Sequence, residues 1–402
     1  MRFVTRRLQR AALWAAAAAM AAVGAVAVPG AASAATPHHH RFGVPPGSAT
    51  VGQVYLDANT SGVNSVAAFD RHADGSLTPT PGSPFQVGGV GTGTGLPSQG
   101  AVQITARGRL LLAADAASNQ ISVEYVHRDG SLSPVPGSPF SSEGVEPDSI
   151  AVHGDVVYVA NEGDGGPGNY TGFRLGFGGR LIPILGSTVA LPAGADPGDV
   201  VFNAVGTRVV GTEVGTSLID SFQVGFDGRL QAAAGSPYAA QALGPFGSQF
   251  RPTNPYQLFV SNAHQGAGLG SVSVFNDGFG ARLSPLANSP FANGQSGTCW
   301  VTISPDGQTL FAVNTGSGTI SKYAIAANGN LRLLSNTTVS AQAGVGAVDP
   351  VTSPDGRFLY VNESGTGTVA AFATSGTGVS ELQGSPVALP HATTGAAGIA
   401  IR

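Results

Sequence analysis

The 402-residue chain is 42% hydrophobic and 10% charged and carries 59 glycines, a balance that excludes a disordered polypeptide and fits an all-β protein with many turns. Its formal net charge of −4, with no basic stripe after residue 41, gives no reason to expect nucleic acid or an anionic membrane as partner. The single cysteine, Cys299, rules out an intrachain disulfide and a cysteine-based metal centre.

Arg2, Arg6, Arg7 and Arg10 precede Ala11 to Val28, a stretch of mostly Ala and Val, and Ala32-Ser33-Ala34 reads as a cleavage site. Residues 1–34 are therefore expected to be a signal peptide, with the mature protein secreted, extracellular or at the cell surface. Arg6-Arg7 hints at twin-arginine export, but Gln9 and Arg10 follow where that signal needs apolar residues, so ordinary secretion is expected. No second apolar span follows, so no membrane span is expected after cleavage. Residues 35–50, ATPHHHRFGVPPGSAT, read as a disordered leader, in which His38-His39-His40 has no ordered backbone to fix a metal ion.

A repeat runs from Val51 to the end, residues 51–402. Its clearest copies are SPDGRFLYVNESGTGTVAAF, Ser353 to Phe372, and SPDGQTLFAVNTGSGTISKY, Ser304 to Tyr323. Each reads as turn, strand, turn, strand, with Asp and Gly supplying the tight turn. A turn ending in leucine closes each unit, at Leu77, Leu132, Leu181, Leu230, Leu283, Leu331 and Leu382, spaced by 55, 49, 49, 53, 48 and 51 residues. A fourth element follows in most copies: PGSPF twice, then GST, GSPY, NSPF and GSPV. Four short strands in each of seven units predict a seven-bladed β-propeller of four-stranded antiparallel blades. The first unit lacks a full first strand, and GAAGIAIR, Gly395 to Arg402, is an unassigned apolar tail. The C-terminal strand is therefore expected to close the ring.

The YVAN, FVSN, FAVN and YVNE strand ends, with Gly-rich turns and DGxL, resemble the seven-bladed lactonase family of 6-phosphogluconolactonase and carboxy-muconate lactonizing enzyme, which shades into surface-layer propellers with YVTN repeats. The resemblance implies a site at one mouth of the central channel. Where the family has a His, Asp148 stands here; where it has Arg-His, Gly198 and Asp199; where it has an Arg, Ala263 with His264 beside it. Only Glu213 matches, and Glu162 and Glu363 follow the same Asn position in other units. Loss of the basic groups removes charge-assisted binding of an anionic sugar acid, so a non-catalytic ligand- or surface-binding protein is expected. The alternatives are a lactonase-type hydrolase or cyclase built on Glu213, Asp199 and His264, and a cell-envelope scaffold.

The mouth is expected to present Asp148, Trp300 and Asp349 to a small molecule or a glycan. Asp and Asn at strand ends are also ordinary turn formers, Trp300 also suits core packing, and Cys299 suits a buried inert thiol. No cofactor, no metal, no nucleic acid and a monomeric chain are expected.

Overall fold

The computed structural model describes residues 48–264, 266–339, 346–391 and 394–402. The expected signal peptide and His38-His39-His40 lie outside the described residues. From Thr50 to Arg402 the chain is one unit of seven antiparallel sheets. Around the ring, the innermost strands of blades one to seven are Ala397–Ile401, Val102–Ile104, Pro147–His153, Pro197–Phe202, Pro245–Arg251, Thr298–Ile303 and Ala347–Thr352. Their second strands are Thr50–Asp57, Leu110–Asp115, Val156–Asn161, Arg208–Glu213, Asn254–Asn262, Thr309–Asn314 and Phe358–Glu363.

The C-terminal strand closes the ring. Ala397–Ile401 pairs antiparallel with Thr50–Asp57, with Val54 opposite Ile401 and Asp57 opposite Ala397. Gln53 and Arg402 exchange two further backbone hydrogen bonds at 3.1 and 2.9 Å.

The core is seven apolar layers, one between each pair of neighbouring blades. The layer across the closure packs Tyr360, Phe358 and Val369 of blade seven against Leu56, Phe69 and Leu77 of blade one. A second strand is covered on both sides, so it reads as a continuous apolar run rather than an alternation. Val157, Tyr158, Val159 and Ala160 all have no exposed surface. Of the repeated leucines, Leu77, Leu132, Leu181, Leu283 and Leu331 are buried, while Leu230 and Leu382 are half-buried.

Two repeated side chains satisfy backbone groups, the first between neighbouring blades and the second within each blade. Tyr55, Tyr158 and Tyr360 each donate from Oη to a turn carbonyl of the next blade, at Gly130 (3.0 Å), Gly228 (2.7 Å) and Gly75 (3.0 Å). The last of these spans the ring closure. The fourth strand differs from the expected single strand. In six blades it is split, as in Leu77–Pro79 and Phe85–Val90, with each piece pairing a different half of the third strand. The gap would leave a third-strand N–H unpaired. The serine of GSP accepts it instead: Ser83 from Ala68 at 2.8 Å, Ser138 from Val123 at 2.8 Å, Ser236 from Ser221 at 2.9 Å and Ser289 from Val274 at 2.7 Å. Blade six lacks this motif, and its fourth strand, Leu331–Thr338, is continuous.

Candidate functional site

Inner strands start where second strands end. Pro147 lies opposite Asn161, Pro197 opposite Glu213 and Ala347 opposite Glu363. Both sets therefore gather at one end of the ring, the upper end. The register shifts just after each inner strand begins, between Pro147 and Ser149, Pro197 and Asp199, and Thr298 and Trp300. These bulges leave Asp148, Gly198 and Cys299 without a partner residue opposite and re-aim the side chains around them.

The axis at this end is filled. The segment Leu96 to Ala101, LPSQGA, leaves the outer edge of blade one and enters the centre before Val102–Ile104 begins. Gln99 donates its backbone N–H to Gly198 O (2.8 Å) and its side-chain amide to Ser248 O (3.0 Å), and its Oε1 accepts the Val301 N–H (3.0 Å). Ser98 donates from Oγ to Asp148 O (2.5 Å), and Ser98 O accepts the Trp300 indole N–H (2.9 Å). Gly100 donates to an Asp349 carboxylate oxygen (3.3 Å). Those partners belong to inner strands of blades three to seven, and only a segment on the axis reaches all five. Gly247 permits the approach, since a Cβ there would lie 2.2 Å from Gln99 Oε1. The plug is held at its root by Asn59, which accepts the Thr92 N–H (2.8 Å) and donates to Thr94 O and Gly395 O.

The three axial carboxyls surround this plug, each at most 3% exposed. Asp199 accepts the N–H and Oγ–H of Ser248 (2.8 and 2.7 Å) and lies 3.3 Å from Ser149 Oγ, which itself donates to Gln99 O (2.6 Å). Burial pushes Asp199 up to about 7 despite these bonds. Burial also drives Asp349 well above the ordinary carboxyl range, and does the same to Asp148, where nearby Glu162, Glu146 and Asp199 add to the shift. Neither oxygen of Asp148 has a hydrogen-bond partner.

Glu213 and Asp199 do not converge. Asp199 lies opposite Thr212, and both face blade five, where Thr212 donates to Phe246 O (2.7 Å). Glu213 is the next residue on the strand and faces the other side, towards blade three. There its carboxylate receives Thr216 Oγ1–H and lies beside Asp220, whose pKa it helps burial to raise and which meets Tyr170 Oη at 3.4 Å. Six second strands carry a buried polar residue at this register: Asp115, Asn161, Glu213, Asn262, Asn314 and Glu363. Most bond back to the third strand, as Asn262 does to Ser271 and Ser273 (both 3.0 Å) and Asn314 to Ser321 (2.8 Å). Glu363 thus occupies the Asn position itself, whereas Glu162 lies one residue beyond it. The sequence alignment had placed both after the Asn.

Trp300 is fully buried, edge-on to Phe246 at 5.0 Å, and belongs to the layer beneath the mouth. Burial pushes the Cys299 thiol up to about 12. His264 stands at the rim, exposed, with its ring against Gly244, where a Cβ would meet it at 2.6 Å. Partial desolvation lowers its pKa, and the nearby Asp196 carboxylate opposes that shift. The described residues hold no cluster of three or more His, Cys, Asp or Glu suited to a metal ion, and no helix long and apolar enough to cross a membrane. The residues missed by sequence reasoning are Ser98, Gln99 and Gly100. Their signal was the 55-residue gap between Leu77 and Leu132, the widest of the six.

Residues 257–400 match the family model described as Lactonase, 7-bladed beta-propeller. The match leaves out Asp148, Asp199 and Glu213 and includes His264, Trp300 and Asp349. No curated protein matches the sequence. Among solved structures, a candidate 6-phosphogluconolactonase from Bacteroides fragilis is 16% identical, with a TM-score of 0.70 over 89% of this chain and 100% of that one. The periplasmic gluconolactonase of Pseudomonas aeruginosa is 20% identical, with a TM-score of 0.65 over 84% and 99%. A hypothetical selenium-binding protein from Sulfolobus tokodaii is 10% identical, with a TM-score of 0.60 over 88% and 94%. At these identities the likeness is one of fold. With its ring closed by its own C-terminal strand, the chain is a seven-bladed β-propeller, and its residues 257–400 are similar to the lactonase family of such propellers.

Proposed function

We propose that the protein is a secreted, non-catalytic binding propeller that works through its outer surfaces. The observation that carries this reading is the plug: Leu96 to Ala101 occupies the axis and bonds to five blades, filling the mouth where a substrate would have to reach the axial carboxyls. The positions where the lactonase family has basic groups supply no positive charge to hold an anionic sugar acid. Export is supported by the arrangement of residues 1–34, and N-terminal sequencing of protein from the culture medium should find Ala35 as the first residue.

A second reading, a lactone hydrolase, is favoured by His264 at the exposed rim with Asp196 beside it. Desolvation keeps this imidazole neutral and able to take a proton. Hydrolysis of 6-phosphogluconolactone and gluconolactone by the purified protein separates the two. The binding reading expects rates at the uncatalysed background. Turnover that disappears in His264→Gln establishes the hydrolase instead.

A further inference from the structure

The hairpins joining the third and fourth strands of blades three, four and five share one pattern. They read Phe177-Gly178-Gly179-Arg180, Phe226-Asp227-Gly228-Arg229 and Phe279-Gly280-Ala281-Arg282. All three phenylalanine rings are fully exposed. The same position holds Ala73, Arg128 and Ala327 in blades one, two and six. The phenylalanines are therefore confined to one sector of the ring. They lie at its lower end, because third strands run away from the mouth. Val205 and Tyr256, about half exposed, lie on blades four and five of the same sector.

The rings stand on secured backbone. Tyr125 Oη donates to Gly178 O (2.7 Å), Tyr158 Oη to Gly228 O (2.7 Å), and Ser221 Oγ to Ala281 O (2.8 Å). Arg174 also donates to Phe226 O at 3.2 Å. Each ring is followed, three residues on, by an exposed arginine. Among the described residues, the side chains of Arg180 and Arg282 make no ion pair or hydrogen bond, so their charge is available to a partner.

We propose that this sector is a peripheral docking surface for an anionic lipid bilayer. Water-exposed rings on three successive turns gain by entering an apolar phase. They stand on separate blades as single prongs, a form that suits a soft interface better than a shape-matched protein pocket or a sugar-binding cleft. Guanidinium groups beside them match anionic headgroups at the depth where Phe and Arg side chains meet the interface. The chain's net charge of −4 is no obstacle, since the attraction acts within about a Debye length of the surface. This names a partner for the surface-binding reading but rests on a different observation: lactone turnover tests one, lipid partition the other.

The test is co-sedimentation of the purified full protein with phosphatidylglycerol/phosphatidylcholine vesicles and with phosphatidylcholine vesicles. Binding is expected to the anionic vesicles and to weaken with salt. The triple variant Phe177→Ser, Phe226→Ser, Phe279→Ser should lower partition by about tenfold or more. Arg180→Gln with Arg282→Gln should lower it several-fold, and Leu243→Ser at the upper end should leave it unchanged. Because the substituted rings are fully exposed, unchanged thermal unfolding will confirm that the variants are folded. The proposal is overturned if the wild type ignores both vesicle types, or if the triple variant binds as well as the wild type. It is equally overturned if the rings instead hold a dimer that the triple variant dissolves, or an anionic polysaccharide in the absence of vesicles.

Discussion

Gln99 concentrates much of the axial chemistry in one side chain. Its amide pairs with a carbonyl of blade five and an N–H of blade six, and its backbone N–H reaches blade four. Gln99→Ala leaves the Ser248 carbonyl and the Val301 N–H without partners, each costing about 1–3 kcal/mol. A loss of about 2–6 kcal/mol is expected in urea denaturation. The acids give a second prediction. Burial raises Asp115 to about 6, Asp199 to about 7 and Asp220 to about 8, against an ordinary aspartate value of 3.8. Between those values the folded ring keeps protons that the unfolded chain has released. The stability these groups contribute is therefore complete below about pH 4 and is lost as pH rises towards about 8. Denaturation at pH 5 and pH 8 should show the wild type weaker at pH 8, with a smaller difference in Asp199→Asn. Equal stability at both pH values would mean that these carboxyls ionise inside the fold as they do in water. At this scale the sequence was partly legible: it placed Asp148, Asp199, Trp300 and Asp349 at inner-strand starts. It could not show that a Gly- and Thr-rich connection turns inward, because the residues it meets lie 50 to 249 positions away.

The elements owe their order to repeated side chains that satisfy backbone groups. Tyr360→Phe removes the donor to Gly75 O and should cost about 1–2 kcal/mol, and Tyr158→Phe should cost a similar amount at an interface far from the closure. Ser236→Ala should cost about as much, because the Ser221 N–H loses its acceptor where the fourth strand is interrupted. Melting curves of the three variants check both devices together. A neutral Ser236→Ala would mean that water reaches the gap. The strands themselves were readable from apolar runs bounded by Gly and Asp. The split of the fourth strand was not, although GSP was visible: Pro removes a ladder donor, but where the ladder resumes depends on the neighbouring strand.

For the molecule as a whole, ring closure was the most legible feature, since a unit lacking its first strand and a tail lacking a unit have only one economical arrangement. Deleting Gly395 to Arg402 strips blade one of its inner strand and the plug's root of its Gly395 contact. The truncated protein should lack a single cooperative thermal transition by circular dichroism, and a sharp transition near the wild-type temperature would refute the closure's importance. The lower sector of phenylalanines was hidden by the averages. Net charge and composition are sums over the chain, whereas a row of Phe-x-x-Arg turns emerges only when the repeat places them on neighbouring blades.

The plug also dictates an order of events in time. Leu96 to Ala101 leaves the ribosome among the early residues, yet its partners at Gly198, Ser248, Val301 and Asp349 are made much later. Until the later blades exist, this segment has only its bonds to the early ones, and contacts so distant in sequence make for slow folding. Seating of the plug and arrival of the C-terminal strand should therefore be late steps that complete together. In refolding followed by hydrogen exchange, the Gln99 and Gly100 amides should gain protection in the same phase as those of Ala397 to Ile401, after the blades between them are already protected.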